Sequence, residues 1–174
     1  MQSEKGLVLF QDKPFIDHII QAILPITNQI KLITASKQYD YLDYEKIPDL
    51  IVDKGPLGGI YTALSHSETE FNLILSCDIP LISSELLQEL ISKHTKEAGI
   101  TIFASESKTH PLIGIYSKNI LSVIKKSIDS DELKMMDLLT KLPHQIIKIE
   151  ENENFPLTNI NSIDELNDLN INLS

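Results

Sequence analysis

The feature that most narrows the possible folds is the run Phe71-Asn-Leu-Ile-Leu-Ser76, followed at once by Cys77-Asp78-Ile79-Pro80. A near-continuous apolar run of this length matches a strand buried on both faces, as in the middle of a parallel sheet. Proline cannot donate to a sheet ladder, so Pro80 ends the strand. The carboxylate of Asp78 then stands just past a strand's carboxyl end, where open α/β sheets bind ligands.

Around this run, short apolar stretches alternate with helical spacing. Leu7 to Phe10, Ile30 to Ala35, Ile100 to Ala104, Leu112 to Tyr116 and Gln145 to Ile149 predict strands. Pro14 suits a first helical turn, and Phe15, Ile16, Ile19, Ile20 and Ile23 follow on one face. Ile47 to Asp53 lead into the turn Gly55-Pro56-Leu57-Gly58-Gly59, with Ile60 to Ser65 continuing as a helix. Ser83 or Ser84 caps a helix bearing Leu86, Leu87, Leu90 and Ile91. Asn119 to Ile128 and Leu133 to Leu142 look helical, with Met135 and Met136 in the core. Asn161 or Ser162 caps a last helix with Ile163, Leu166 and Leu169. Such alternation predicts an α/β fold, a mostly parallel central sheet with helices on both faces in three layers. The 174 residues contain no repeat or linker and predict a single domain.

Charge and composition exclude several functions. The net charge is −10, there is no arginine, and the lysines form no stripe. A nucleic-acid partner is therefore disfavoured, because phosphate-backbone affinity needs clustered cations. No apolar run approaches the ~20 residues that span a bilayer, so no membrane partner is expected. Met1-Gln-Ser-Glu-Lys5 lacks the apolar core of an export signal, and Cys77 is the only cysteine. These features predict a soluble, cytoplasmic protein without disulfides or a cysteine zinc site.

The residues alone leave their chemistry open. Asp78 could coordinate Mg²⁺, which suits one or two carboxylates plus substrate phosphates, or could cap a turn. The Gly55–Gly59 segment could let backbone N–H groups approach a ligand, or could be a plain tight turn. Its spacing fits neither a P-loop nor a dinucleotide fingerprint. Lys5 and Lys13 could neutralise phosphates or be surface lysines. His110 before Pro111 reads as structural, Asn159 and Asn161 as helix caps, and Cys77 as a small buried residue.

In order along the chain, these segments resemble the molybdenum cofactor guanylyltransferase (MobA) family. The resemblance lies in Lys5-Gly-Leu-Val-Leu, Asp12-Lys-Pro-Phe, Pro48-Asp49, Gly55-Pro-Leu-Gly-Gly-Ile and Ser76-Cys-Asp-Ile-Pro. It continues through His110-Pro-Leu-Ile-Gly-Ile-Tyr, Met135-Met-Asp-Leu-Leu and Asn159-Ile-Asn-Ser-Ile-Asp-Glu-Leu. It implies a Rossmann-like nucleotidyltransferase fold that transfers GMP from GTP to molybdenum-loaded molybdopterin and releases pyrophosphate. By the same resemblance, Lys5 meets the nucleotide phosphates and Asp78 holds Mg²⁺, the two catalytic positions. Thr34, Asp49 and Gly55 to Gly59 complete the nucleotide site, with Asp49 and the glycine turn reading guanine. Pro80, His110, Asn159 and Asn161 fall on the molybdopterin side. Transient contact with cofactor-insertion proteins and a monomeric or weakly oligomeric state are also implied.

Against the family pattern, the chain begins at the Met of Leu-Ala-Gly-Gly-x-Ser-x-Arg-Met-Gly, with Gln2 and Glu4 in place of Gly and Asp. The first strand and its glycine-rich loop are therefore expected to be missing. Alternatives that stay open are another base or acceptor, as in a molybdopterin cytidylyltransferase or a sugar-phosphate nucleotidyltransferase, and an impaired cofactor-binding protein.

Overall fold

The computed structural model describes residues 4–150, 155–162 and 164–167. Phe71–Leu75 forms β5, after β1 (Leu9–Phe10), β2 (Lys13–Pro14), β3 (Lys31–Ile33) and β4 (Glu45–Ile47). Strands β6 (Ile100–Ala104), β7 (Thr109–Ser117) and β8 (His144–Lys148) complete a four-stranded sheet in the order β5-β7-β6-β8. The sheet is mixed. β7 runs antiparallel to β5 and to β6, while β6 and β8 are parallel. β3 and β4 form a separate parallel pair, and β1 and β2 a short hairpin. That hairpin turns through Gln11 and Asp12, both at positive φ, as a two-residue primed turn requires.

Side-chain alternation along the strands divides the interior in two. Ile100 and Ile102 pack with α2 (Gly55–Ser65), α4 (Leu121–Asp129) and α5 (Met135–Leu139). Phe103, Ile113 and Ile147 pack instead with α1 (Phe15–Ile23) and α3 (Ser84–Lys93). A period of two places successive residues on opposite faces, so helices cover both sides of one sheet. Leu57, Leu64, Leu87 and Leu90 are each fully buried. Burial of one such side chain stabilises by about 1.5–3 kcal/mol relative to leaving it exposed.

Several expected boundaries shift for local reasons. Leu7 to Phe10 divides into a 3-10 turn at Lys5–Leu7 and the two-residue strand β1. The strand expected over Ile30 to Ala35 contracts to Lys31–Ile33, and Thr34 adds one further bond to the carbonyl of Ile47 at 2.8 Å. The helix expected over Leu133 to Leu142 contracts to α5. Lys134 is extended there, and Pro143 disfavours helical backbone at the residue before it. Met135 is buried, but Met136 points outward at 49% exposure, because neighbouring residues on a helix face different ways. Residues 164–167 are helical, and Ser162 Oγ accepts the N–H of Glu165 at 3.1 Å. Ile163 and Leu169 lie outside the described residues.

Candidate active site

Asp78 follows the carboxyl end of β5 and is 8% exposed. Each of its carboxylate oxygens has a partner. Lys5 Nζ donates to Oδ2 at 3.3 Å, and Asn159 Nδ2 donates to Oδ1 at 2.7 Å. Lys5 Nζ also donates to Asn161 Oδ1 at 2.7 Å. Because a carboxylate only accepts and an ammonium only donates, these contacts fix the orientation of both amides. Lys5 is 44% exposed at its side chain and Asp78 only 11%, so the pair stands at the rim of the site with its carboxylate largely withdrawn from water. Removing the ammonium without another cation in its place would leave Asp78 an uncompensated buried charge.

Local geometry explains how residues so distant in sequence converge. The Ile160 N–H donates to the carbonyl of Asp78 at 2.8 Å, holding segment 159–161 beside the end of β5. Ile160 itself is buried with Phe10 and Phe15, so the alternating Asn159 and Asn161 are directed to the polar side. Lys5 is delivered by the 3-10 turn Lys5–Leu7, which approaches closely at Gly6. A Cβ on Gly6 would lie 2.7 Å from Tyr39 Oη and 3.3 Å from Cys77 Cβ. Only glycine lets that turn sit between the two side chains.

Neighbouring titratable groups are held neutral. Burial raises the Cys77 thiol above its ordinary range, and the Asp78 carboxylate adds to the effect. A thiol kept protonated beside a carboxylate is a poor nucleophile, in agreement with its reading as a packing residue. Burial likewise raises the Tyr39 phenol, with contributions from Cys77 and Glu4. Tyr39 Oη donates to Glu4 Oε2 at 3.4 Å.

A second group forms where β4 passes into α2. Gly55 to Gly59 constitute the first turns of the helix itself rather than a turn preceding it, and only Gly55 has positive φ, at 54°. Asp49 is exposed, and its Oδ1 lies 3.8 Å from where a Cβ on Gly59 would stand. Gly58 packs directly on backbone, since a Cβ there would lie 2.8 Å from the Ile51 carbonyl oxygen. Leu57 is buried and Pro56 exposed at the helix start. The first turn of a helix presents unpaired N–H groups with a positive dipole end, a natural seat for anionic or carbonyl oxygens. Thr62, one helical turn later, is wholly buried and tied to this segment, a residue that sequence reasoning did not single out. Its only sequence signal is a hydroxyl at an apolar-face position four residues after Gly58.

The remaining candidates are placed less directly. Thr34 stands just past the end of β3, and its Oγ1 accepts the Ser36 N–H at 3.1 Å, as in a short hydroxyl turn. Pro80 is buried after Asp78, and His110 is 2% exposed within β7. Lys13 is exposed in β2. Among the described residues, no group of three or more His, Cys, Asp or Glu could form a metal cage. No helix among them is long and apolar enough to cross a membrane.

A mixed sheet with helices on both faces thus carries a carboxylate–lysine–asparagine group beyond one strand end. The chain belongs to the family of the MobA-like NTP transferase domain, which matches residues 1–146. It is 86% identical to the probable molybdenum cofactor guanylyltransferase of Flavobacterium johnsoniae, over all of this chain and 92% of that one. It is 30% identical to the corresponding protein of Carboxydothermus hydrogenoformans, over 87% of this chain and 76% of that one. Among solved structures, the molybdopterin-guanine dinucleotide biosynthesis protein A of Archaeoglobus fulgidus superposes with a TM-score of 0.78 at 20% identity. That match covers 96% of this chain and 89% of the other, and supports the fold. The α/β class with helices on both faces is the one expected from the sequence, but the sheet is mixed rather than mostly parallel, and β5 lies at its edge, paired among the described residues only with the antiparallel β7.

Proposed function

We propose that this protein transfers GMP from GTP to molybdenum-loaded molybdopterin, forming the guanine dinucleotide of the cofactor and releasing pyrophosphate. The observation that carries this reading is the junction of Lys5, Asp78, Asn159 and Asn161 at the end of β5, within a chain so close to a guanylyltransferase. The whole chain acts as one nucleotidyltransferase domain, and its place of work is the cytoplasm.

Nucleotidyl transfer asks the protein to position groups and to stabilise charge, with little covalent chemistry of its own. A phosphate oxygen of molybdopterin forms a bond to the α-phosphorus of GTP as the bond to the bridging oxygen of pyrophosphate breaks. The residues present fit a divalent cation, because a cationic ammonium already sits between two hard oxygens, Asp78 Oδ2 and Asn161 Oδ1. Asp78 would hold Mg²⁺, a Lewis acid for phosphate oxygens, with substrate phosphates completing its shell. Lys5 neutralises the triphosphate. Asn159 keeps the Asp78 carboxylate in one orientation, and Pro80, His110 and Asn161 belong to the acceptor side. Asp49 accepts hydrogen bonds from the guanine edge while N–H groups of the first turn of α2 face the base, and Thr34 lies along the nucleotide.

Base choice tests the proposal. With Mg²⁺ and molybdopterin, GTP is expected to yield the guanine dinucleotide and to bind at least ~10-fold more tightly than ATP or CTP, about the cost of one unmet buried hydrogen bond. A cytosine dinucleotide as the main product would instead mark a cytidylyltransferase. Equal dissociation constants for the three nucleotides in calorimetry would remove guanine recognition.

A further inference from the structure

Thr62 carries a role that neither group of site residues contains. It lies in α2 with no solvent exposure, and its hydroxyl makes two contacts. It donates to the carbonyl of Gly58 at 2.9 Å and accepts the N–H of Leu50 at 3.0 Å. A hydroxyl has one hydrogen to give, so the Gly58 bond uses the donor and Leu50 uses a lone pair. Bonding back to a carbonyl four residues earlier is common for threonine in helices and by itself does little for stability. The Leu50 bond is different in kind, because it leaves the helix.

Leu50 directly follows Asp49, and Gly58 lies in the first turns of α2. One buried oxygen therefore joins the segment bearing the carboxylate to the segment bearing the glycines. The same two segments also meet at Gly58, against the Ile51 carbonyl, and at Gly59, against Asp49 Oδ1. The Gly58 contact is a limit on approach, and the Gly59 one is ordinary. Neither holds the segments together. The Thr62 hydroxyl supplies the attachment.

We infer that Thr62 is a positioning residue for base selection: its hydroxyl fixes the Asp49 carboxylate relative to the first turn of α2. The inference rests on the reading of Asp49 and Gly55–Gly59 as the guanine-recognition elements. A carboxylate that must meet the N1–H and 2-amino group of guanine together tolerates little displacement. Adenine and cytosine do not present that pair of donors, so their binding depends less on where Asp49 stands.

Thr62→Val keeps the shape of the side chain and removes both hydrogen bonds, leaving the Leu50 N–H without its partner. Calorimetric titration of wild type, Thr62→Val and Thr62→Ser with GTP, ATP and CTP reads the effect. Thr62→Val is expected to lose ~10-fold in GTP affinity, about the cost of one unmet buried hydrogen bond. Its ATP and CTP affinities stay within about twofold, so discrimination collapses, and Thr62→Ser restores it. A valine protein that keeps the wild-type GTP-to-ATP ratio overturns the inference, as does a folded serine protein that fails to restore it. Should the valine protein not fold, Thr62→Cys, with only a weak S–H donor, is judged by the same ratio. Wild type that binds all three nucleotides alike sinks the base-recognition reading itself, a result distinct from either failure above.

Discussion

Asp78 is surrounded by side chains from distant parts of the chain, Lys5 at one end and Asn159 at the other. Asp49 stands beside the first turns of α2, which begin only a few residues later at Gly55, with its Oδ1 3.8 Å from where a Cβ on Gly59 would be. The first group is a charge network whose members already satisfy one another. The second is a close approach of two short segments, controlled by the absence of a side chain at Gly58. On the proposed function, catalytic charge placement depends on the closure of the whole fold, whereas base recognition depends on local chain geometry. Damage should differ accordingly.

The largest effect is expected at the charge network. Asp78→Asn is nearly isosteric and retains the fold, but removes the formal charge opposite Lys5. Turnover should fall by ~10²–10³, the range seen when one preorganised electrostatic group is lost, while circular dichroism stays native. Wild-type turnover at saturating Mg²⁺ would dissolve the contrast between the two groups.

Two glycine variants sharpen the other side. Gly58→Ala puts a methyl group 2.8 Å from the Ile51 carbonyl oxygen, so backbone must move. Overpacking of this kind costs about 1–3 kcal/mol, and denaturant titration should show it together with weakened GTP binding. Gly59→Ala finds its nearest atom, Asp49 Oδ1, at 3.8 Å, an ordinary contact. Within a helix that change should be neutral or stabilising by up to about 1 kcal/mol. Equal losses in the two variants would mean that close approach is not what the first turn of α2 requires.

The smallest effect lies at the far end of β5. His94 stacks edge-on against Phe71, with ring centroids 4.6 Å apart, and its Nδ1 pairs with Thr101 Oγ1 at 2.9 Å. Burial lowers its pKa below the usual 6.5, so the folded protein binds fewer protons there than the unfolded chain. Stability from this group is present above pH 6.5 and is lost as pH falls from there through the lowered pKa. Urea midpoints should therefore decline more between pH 7 and 5 in wild type than in His94→Gln. GTP selectivity should not change between the two proteins, because His94 touches neither site group.

Several features were legible because they are local. The apolar strand Phe71–Leu75, although it ends at Leu75 rather than at Pro80, and the glycines opening α2 follow from pattern and from backbone chemistry. The alternation of strands and helices was sufficient for the α/β class. Met136 was misread because both methionines of a pair cannot face the same core from one helix. The glycine segment was read as a turn before the helix, since glycine weakens helices and gives no sign of being inside one. Thr62 went unread because a hydroxyl among apolar residues reveals its partner only once Leu50 has been folded over it.

The sequence by itself determined the class of fold, the strand that presents Asp78 and the segment that opens toward Asp49, because periodicity and glycine or proline chemistry act within a few residues. Tertiary structure alone decided that Lys5 and Asn159 would share the oxygens of Asp78, and that the Thr62 hydroxyl would join Leu50 to α2. Contacts of that kind depend on where buried neighbours such as Ile160 and Gly6 direct the chain. That direction is settled by packing across the whole molecule.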